Sequence, residues 1–411
     1  MEKKEGYKKT KIGWIPGDWD FVKIGSFTKP ESKKNLKGEI TRVVSVTKYD
    51  GIVDSLSYFN KQVYSKDITS YKIICRGHFA YATIHLDEGS IGCLDIYEKA
   101  VLSPMYTVFS IDSTIVNRIY LFSLLKSNRL MNIYNHIGAG SINRRKSISY
   151  TTFSKIDIPL PPLPEQKKIA AILSTVDKKI ESIEEQIKQT ELLKKGLMNK
   201  LLTEGIGHTE FKDTEVGRIP RGWDVVKLGD ISEFINGRGF KPHEWANEGL
   251  PIIRIQNLNG GKEFNYYTGK YASKILIKKG DLLFAWSGSR GTSFGPHIWN
   301  GTNGLLNYHT WKVGYSSTYI KRDYLYCSLK RITTKIENDA HGAAALVHIQ
   351  KRFIVDYLIP LPHKTEQEGI ASILSKVDEK IEILQSKKSK HETLKKGLMQ
   401  QLLTGKIRVK T

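Results

Sequence analysis

The sequence has few of the features that mark secreted, membrane-spanning or disulfide-stabilised proteins. Its 411 residues include only three cysteines, Cys75, Cys93 and Cys327, which form no C-x-x-C pair. An odd number of widely spaced cysteines predicts reduced, buried thiols in a cytoplasmic protein. No run of about 18 apolar residues occurs, so no membrane span is expected. The N-terminus, MEKKEGYKKTK, is charged and no apolar run follows it, so we expect no secretory signal.

Motifs of catalysis are missing as well. The sequence contains no G-x-x-x-x-G-K-[ST], no Asn/Asp-Pro-Pro-aromatic motif, no dinucleotide-type glycine fingerprint, no H-E-x-x-H and no Cys/His cluster with metal spacing. Gly288-Ser289-Arg290-Gly291 is glycine-rich, but the Lys and Ser/Thr of a phosphate loop do not follow it. The eleven histidines are scattered. These absences predict a chain that is not an enzyme and that holds no metal or cofactor of its own.

Positive charge is abundant. Sixty-four Lys and Arg against 42 Asp and Glu give a net charge of +22, and the pI is about 9.6. Such a field attracts phosphate backbones and steers polyanions from solution. A generally lysine-rich proteome would raise the pI in the same way, and an anionic membrane surface is a weaker alternative.

The chain is an internal duplication. Residues 158–203 and 359–404 align without a gap at a constant offset of 201, and 26 of the 46 aligned pairs are identical. A second repeated element, G-x-I-P-x-x-W-D-x-V-K-x-G, occurs within residues 10–25 and 214–229. In each copy the glycine and proline of GxIP (Gly13 and Pro16, Gly217 and Pro220) predict a turn, and the tryptophan, Trp19 or Trp223, predicts a packing anchor before a short strand. The predicted domains are therefore 1–157 and 208–358, each followed by a long repeated helix, in 158–207 and in 359–411.

The long repeated stretches show the heptad spacing of a coiled coil. The predicted seam consists of Ile169, Leu173, Val176, Ile180, Ile183, Ile187, Leu197 and Leu201 in the first copy, and of Ile370, Leu374, Val377, Ile381, Leu384, Leu398 and Leu402 in the second. Polar residues interrupt the seam at Thr190, Lys194, Lys388, His391 and Lys395. Two matching seams favour an intramolecular antiparallel pair in a cyclic, pseudo-two-fold arrangement. The alternative is that each helix packs only on its own domain.

Capping signals mark the ends of both helices. Pro164 suits a first helical turn, and Thr365 with Glu368 predicts a capping box at the start of the second helix. Gly205 and Gly405 follow the last leucines and predict the C-terminal stops.

The blocks between the repeated elements, about 26–157 and 230–358, share little surface sequence. Short β-branched runs broken by Gly, Asn and Pro, with at least one helix in each block, predict two compact α+β domains in tandem. Faint echoes remain: residues 76–82 parallel 279–285, and Tyr120-Leu121 parallels Tyr324-Leu325, each near the start of a predicted helix.

Both blocks offer polar, planar and basic side chains in predicted loops. Arg pairs with guanine, and Asn or Gln with adenine, by bidentate hydrogen bonds in the major groove, and Asn143 to Lys146 form a candidate phosphate clamp. The candidate DNA-binding residues are Lys48, Thr83, His85, Arg144, Arg145 and Lys146 in the first block, and Arg254, Gln256, Asn257, Ser287, Ser289, Arg290, Asn303 and Asn307 in the second. Each alone is more typical of a solvated surface; only the collective pattern favours recognition of bases.

The repeated motifs resemble those of type I restriction–modification specificity subunits over essentially the whole chain. The similarity rests on I-P-L-P-P-L-x-E-Q-x-x-I-A-x-I-L, on L-K-x-G-L-M-x-x-L-L-T and on G-x-I-P-x-x-W before each block. Residues 280–307 also resemble a target recognition domain of that family. His363-Lys364-Thr365 departs from the pattern, because the first copy has Pro162-Leu163-Pro164 there.

This resemblance implies two target recognition domains that each read one half of a bipartite site in double-stranded DNA. The paired helices would set the spacer length. The implied partners are two modification subunits, which bind S-adenosylmethionine and methylate adenine, and restriction subunits, which use ATP and Mg²⁺. Two other readings remain open: a nuclease that acts alone, and a coiled-coil interaction protein with no role at nucleic acids.

Overall fold

A computed structural model describes residues 5–11, 13–138, 147–339 and 346–410. The chain divides into two compact units. Unit 1 comprises Met1–Glu184 and Ser386–Thr411, and unit 2 comprises Glu185–Gln385. Each unit thus combines one variable block with half of each long helix, α5 (Leu163–Leu201) and α10 (Lys364–Leu402).

Besides its parts of α5 and α10, the described part of unit 1 contains short strands and four short α-helices. Its strands are β1 (Tyr7–Thr10), β2 (Gly13–Pro16), β3 (Asp20–Lys23), β4 (Thr28–Glu31), β5 (Val44–Thr47), β6 (Gly51–Asp54), β7 (Lys72–Cys75), β8 (Phe79–Ala82), β9 (Ile91–Cys93), β10 (Lys99–Leu102), β11 (Tyr106–Ile111) and β12 (Asp157–Leu160). Its helices are α1 (Ser55–Phe59), α2 (Arg118–Leu125), α3 (Asn128–Ile137) and α4 (Tyr150–Phe153).

Unit 2 has a similar order of elements. Its strands are β13 (Phe211–Thr214), β14 (Gly217–Pro220), β15 (Asp224–Lys227), β16 (Ser232–Asn236), β17 (Leu250–Ile253), β18 (Asn265–Tyr267), β19 (Leu276–Ile277), β20 (Leu282–Ala285), β21 (Ser287–Ser289), β22 (Gly295–Ile298), β23 (Gly304–Leu306), β24 (Thr310–Tyr315), β25 (Leu346–His348) and β26 (Leu358–Leu361). Its helices are α6 (Leu228–Ile231), α7 (Ile255–Leu258), α8 (Arg322–Asp339) and α9 (Lys351–Ile354).

Each unit is built on an antiparallel four-stranded sheet with the same order of elements. The order is β4-β11-β8-β9 in unit 1 and β16-β24-β20-β22 in unit 2. The sequence echo between residues 76–82 and 279–285 therefore marks equivalent strands, β8 and β20. In unit 1, Phe109 packs between Phe79 and Phe153, with ring centroids 5.3 Å apart in each pair. The predicted α+β class is confirmed.

The two repeated motifs pair with each other within each unit. Strand β12 carries the first IPLP motif and runs antiparallel to β3, and β26 carries the second and runs antiparallel to β15. The hydroxyl of Tyr120 donates a hydrogen bond to the Pro159 carbonyl, and Tyr324 does the same to Pro360. The repeated tyrosines therefore fasten α2 and α8 to the IPLP strands.

The glutamines of the E-Q motifs tie the long helices to the variable blocks. Gln166 is buried; its side-chain amide donates to the carbonyls of Ile115 and Pro161, and its carbonyl accepts from the Asn117 amide. Gln367 makes the equivalent three bonds in unit 2, to the carbonyls of Tyr319 and Pro362 and from the amide of Lys321. A buried side chain that satisfies three backbone groups defines one orientation of the helix start.

The coiled-coil seam is confirmed, since every predicted seam residue is buried or half-buried. In unit 1, Asp177 pairs with Lys395 and Glu184 with Lys388. Moving seven residues along α5 thus moves the partner seven residues back along α10, so the helices are antiparallel. In unit 2, Lys194 pairs with Asp378. The lysines that interrupt the seam are therefore interhelical ion-pair partners.

Two local predictions were wrong. Helix α10 begins at Lys364, which places Thr365 inside the first turn, where it cannot act as the N-cap of a capping box. The GxIP residues were expected in a turn, but they form β2 and β14, each the second strand of a hairpin with the strand before it. The C-terminal stops are confirmed, because Gly205 and Gly405 both have positive φ angles.

In unit 1, the end of the chain closes onto the start of α5. Glu165 is 2% exposed, and its carboxylate accepts hydrogen bonds from Trp19 Nε1 at 2.9 Å and from the Arg408 guanidinium at 2.8 and 2.9 Å. Arg408 also donates two bonds to Asp18. The C-terminal segment therefore neutralises a buried charge in the first domain.

In unit 2, the end of α5 meets the start of α10 in the same way, with different side chains. The Glu366 carboxylate accepts from Trp223 Nε1 and from the Ile206 amide, both at 2.9 Å, and lies 2.8 Å from His208 Nε2. The end of a long helix therefore lies beside a GxIPxxW element in both units.

We expect Arg408→Ala to destabilise unit 1, because it removes the cationic partner of the buried Glu165 carboxylate and leaves the neutral indole N–H of Trp19 as a hydrogen-bond donor. The expected loss is about 1–3 kcal/mol of unfolding free energy. Thermal unfolding and amide exchange in unit 1 measure it, with Lys410→Ala as the control.

The same substitution should change the acid sensitivity. The hydrogen bonds from Arg408 hold the pKa of Asp18 below its usual value. A lowered folded-state pKa adds stability above the unfolded-state value, about 3.9, which is lost as the pH falls through the folded-state pKa. Arg408→Ala should therefore flatten the decline in stability below about pH 4. An unchanged decline would show that the pair contributes nothing there.

Candidate nucleic-acid interface

In unit 2, two parallel strands bring candidate residues together. Strands β17 and β23 pair in parallel through Ile252–Leu305 and Ile253–Leu306. Arg254 and Asn307 are the next residues of each strand and leave the sheet at the same end. The Asn307 amide donates to the Ile253 carbonyl at 3.0 Å, which joins the two loops directly.

Arg254 is held over an aromatic ring. Its guanidinium carbon lies 4.5 Å from the centroid of Trp245, which is 37% exposed. Cation–π stacking restricts the guanidinium and leaves its edge available for bidentate hydrogen bonds. Gln256, in the following turn, is exposed. Arg254, Gln256 and Asn307 therefore form one polar surface.

Asn257 serves a different purpose from its neighbours. It is 6% exposed, its side-chain oxygen accepts from the Arg254 amide, and its side-chain nitrogen donates to the carbonyls of Gly261 and Glu263. Its hydrogen-bonding groups are used within the loop. We therefore assign Asn257 to positioning Arg254 rather than to contacting a base.

Aromatic residues beside Asn307 extend this surface, and the sequence analysis missed them. Tyr308 is 47% exposed, and its ring centroid lies 3.8 Å from that of His309. The Tyr308 carbonyl accepts from Trp286 Nε1 at 2.9 Å, which connects this loop to the neighbouring Ser287. Partial burial lowers the pKa of His309, which favours the neutral imidazole. The sequence feature that could have identified them is the run Asn307-Tyr308-His309, because exposed aromatic rings beside amides suit nucleotide contacts.

The remaining candidates of unit 2 lie in two places. Ser287 and Ser289 are on β21, and Arg290 follows as an exposed residue. The amide of Ser289 donates to the Ser293 hydroxyl at 2.7 Å, so its backbone is fixed. Asn303 is exposed but precedes β23, at the opposite end of the strand from Asn307. The structure therefore does not bring Asn303 together with Arg254.

In unit 1, a glutamate joins two of the candidates. Glu88 lies 3.7 Å from the Lys48 ammonium and 3.2 Å from His85 Nδ1, and all three side chains are about half exposed. The Thr83 hydroxyl donates to the Met105 carbonyl at 3.4 Å. Arg144, Arg145 and Lys146 lie outside the described residues. The assembled part of this surface is therefore Lys48 with His85.

The described parts of the chain hold no group of three or more His, Cys, Asp or Glu residues that could bind a metal ion. Nor does any helix among them have the length and apolarity to cross a membrane. The three cysteines are free, and burial raises the pKa of Cys93 to about 12 and that of Cys327 to about 11. Thiols with such pKa values are poor nucleophiles.

Comparison with known proteins identifies the class. A family profile described as the type I restriction modification DNA specificity domain matches residues 16–192 and again 220–392. The MjaVIII type I restriction enzyme specificity subunit of Methanocaldococcus jannaschii is 32% identical over 99% of this chain and 97% of its own length. The MjaIX specificity subunit of the same organism is 24% identical over 98% and 96%.

Solved structures have the same fold. A chain from a structure on complex assembly and conformational transition of the type I R-M system superposes with a TM-score of 0.60 at 17% identity, covering 96% of this chain and 99% of that one. The type I restriction-modification S subunit from M. genitalium gives 0.54 at 14% identity, covering 93% and 96%.

Two tandem DNA-specificity domains on a repeated scaffold define a DNA-recognition subunit rather than a single binding module. The chain belongs to the type I restriction–modification DNA specificity family, which confirms the resemblance drawn from its motifs.

Asn257→Ala and Gln256→Ala test the assignment of these neighbouring residues. Asn257→Ala should lower the unfolding free energy of unit 2 by about 1–3 kcal/mol, because buried backbone groups lose their partners. Gln256→Ala should change it by less than about 0.5 kcal/mol. Thermal unfolding of the two variants measures the difference, and equal effects would contradict the assignment.

Proposed function

We propose that this chain is the non-catalytic recognition subunit of a type I restriction–modification complex, with each variable block reading one half of a bipartite DNA site. The observation that carries the proposal is a contrast within the chain. Strands, helices and buried motif contacts recur in both units, whereas the polar loop residues differ. Two variable blocks with different loop residues on one scaffold suit a DNA site whose two halves differ in sequence.

The proposal assigns the chemistry to partner subunits. Two modification subunits would bind S-adenosylmethionine and methylate adenine, and restriction subunits would use ATP and Mg²⁺. The paired helices would set the number of unread base pairs. We further propose that this complex acts in the cytoplasm, which agrees with reduced cysteines.

Both long helices carry an exposed site that suits a docked partner. Leu193 is 53% exposed and the equivalent Leu394 is 50% exposed. Three residues further along, Gly196 and Gly397 lie inside the helices, and a Cβ added at either would meet no atom within 4 Å. A glycine in a helix interior costs about 1 kcal/mol relative to alanine. Close approach of a partner helix would explain why glycine occurs at both positions despite this cost.

The modified bases of cells that express this chain with its modification subunit test the function. We expect methylated adenines in two defined short sequences separated by a fixed number of unspecified bases. Methylation that needs no bipartite site, or none at all with both subunits present, would contradict the proposal.

Arg290→Ala should weaken or relax recognition of the half-site read by unit 2 alone. Loss of a bidentate base contact costs about 1–3 kcal/mol of discrimination. Sequencing of methylated sites measures both half-sites in one experiment. Arg290→Lys keeps the charge without the bidentate geometry, so it should relax the sequence and retain affinity. An equal loss at both half-sites would argue against independent readers.

Insertion of one heptad in each helix, around Gln186 and Lys387, should lengthen the spacer and leave both half-sites unchanged. Seven residues add about 10 Å of helix and preserve the seam. The control is an insertion of two residues, which rotates the seam by about 200° and should disrupt the pairing. Unchanged spacing in a folded heptad variant would show that the helices do not set it.

Gly196→Leu and Gly397→Leu together should stabilise the isolated chain and weaken binding of the modification subunit. Leucine has a higher helix propensity and meets open space in the chain alone, but its side chain would occupy the proposed contact. Calorimetry and sedimentation measure the two effects. The matched control is Lys179→Leu with Lys380→Leu, an equivalent exposed pair elsewhere on the helices. Normal binding by the glycine variant would exclude this docking site.

A further inference from the structure

Unit 1 contains a groove of about 1200 Å³ between the recognition domain and the last turns of α10. The apolar side chains that line it include Phe122, Leu124, Ile180, Met399 and Leu403, and its basic ones are Lys48, Lys126, Arg129, Lys395, Lys396 and Lys406. Asp177 and Glu392 also line it. The groove therefore combines apolar surface with an excess of positive charge.

The positive charges are held close together. The Lys126 ammonium lies 5.4 Å from the Phe122 ring centroid and donates to the carbonyls of Lys48 and Tyr49. Burial, and then the charge of Lys395, lower the pKa of Lys126. Lys395 is in turn paired with Asp177 at 2.5 Å. Helix α2 and the long helices thus meet at one composite surface.

Unit 2 repeats this surface with its own residues. The Lys330 ammonium lies 5.0 Å from the Tyr326 ring centroid, at the positions equivalent to Lys126 and Phe122. Burial, and then the charge of Asp378, raise the pKa of Tyr326 to about 12. Asp378 is paired with Lys194. An aromatic–lysine pair beside an Asp–Lys pair therefore occurs in both units.

The parts of the long helices at this surface are also the same in both copies. At the offset of 201, the residues of the unit 1 groove correspond to residues of unit 2 as follows: Asp177 to Asp378, Ile180 to Ile381, Glu392 to Glu191, Lys395 to Lys194, Lys396 to Lys195, Met399 to Met198 and Leu403 to Leu202. Surfaces that read different sequences should differ, so a surface retained in both units serves a task that both units share.

Two shared tasks are open to such a surface: contact with the phosphate backbone, and contact with a protein present in two copies. Phosphate contacts need basic and polar donors but gain nothing from methionine, isoleucine and leucine. An apolar lining with a basic edge is complementary to a protein segment that has one apolar face and one acidic face.

We propose that each unit carries a docking site for an acidic amphipathic segment of the modification subunit, formed by the aromatic–lysine pair of α2 or α8 and the Asp–Lys pair of the long helices. This inference rests on the proposed function. Helical periodicity places Lys396 and Met399 on the opposite face of α10 from Leu394 and Gly397. The site is therefore separate from the glycine face, and it makes the recognition domain itself part of the docking surface.

Charge reversal at two equivalent exposed lysines tests the proposal. Lys396→Glu alters unit 1, and Lys195→Glu alters unit 2. Each should weaken one of two binding sites for the purified modification subunit by on the order of tenfold, and the double variant should weaken both. Titration calorimetry with the full-length chain gives the affinities and the stoichiometry. Lys37→Glu and Lys262→Glu, exposed lysines outside this surface in the two units, are the matched controls and should bind normally.

The outcomes separate protein docking from DNA contact. If both variants bind the modification subunit normally and instead lower the salt dependence of DNA binding by the isolated chain, the surface contacts phosphates and the proposal is overturned. Normal behaviour in both assays also overturns it. If the unaltered complex methylates a bipartite site while the variants dock normally, only this inference fails. If the unaltered complex shows no bipartite site, the proposed function fails independently of the docking result.

Discussion

The structure depends on a carboxylate at the start of each long helix, buried at Glu165 and half-buried at Glu366. A helix N-terminus presents unpaired amides and a positive dipole end, where an anionic side chain is favourable. Glu165 and Glu366 use their carboxylates to accept the indole N–H of a repeated tryptophan as well. A carboxylate removed from water is costly unless it is fully hydrogen-bonded. The segment after the other long helix must therefore close onto it.

The two units meet this requirement with different donors, and each closure constrains the backbone. Arg408 supplies a guanidinium in unit 1, whereas His208 and the Ile206 amide supply N–H groups in unit 2. The chain turns with positive φ at Gly405 and Gly205. A Cβ at Gly205 would lie 2.4 Å from Glu366 Oε1, and one at Gly405 would lie 2.4 Å from Pro16 Cδ. Glycine is needed at both positions for conformation and for space.

The repeats made much of the scaffold predictable, because a pattern that occurs twice reveals which features are structural. Heptad spacing gave the seam, and the echo around Phe79 and Phe284 marked equivalent strands. The capping box at Thr365 was wrong because sequence spacing does not show where the first helical turn begins. The roles of Gln166 and Gln367 were missed, since a buried glutamine that bonds three backbone groups looks like any polar residue in a sequence.

The candidate interface was less predictable for a physical reason. Whether an amide can reach a base depends on which hydrogen bonds the fold already uses, and Asn257 and Asn307 illustrate this. Both follow apolar strands in similar polar runs, yet the side chain of Asn257 is buried within its own loop, while Asn307 remains half-buried beside Arg254. Only the three-dimensional hydrogen-bond network separates them.

The polar residues that interrupt the seam explain how the two helices can bind each other through apolar contacts and still adopt one register. An apolar heptad seam alone permits neighbouring registers, since a slide of seven residues restores similar contacts. Asp177 with Lys395, and Asp378 with Lys194, are the same pair with the two helices exchanged. Each repeat therefore supplies one acid and one base, and any slide that separates one pair also separates its equivalent. Because the pair occurs twice, a wrong register loses two ion pairs instead of one. All four residues lie on the long helices, so the variable loops can diverge without affecting the register.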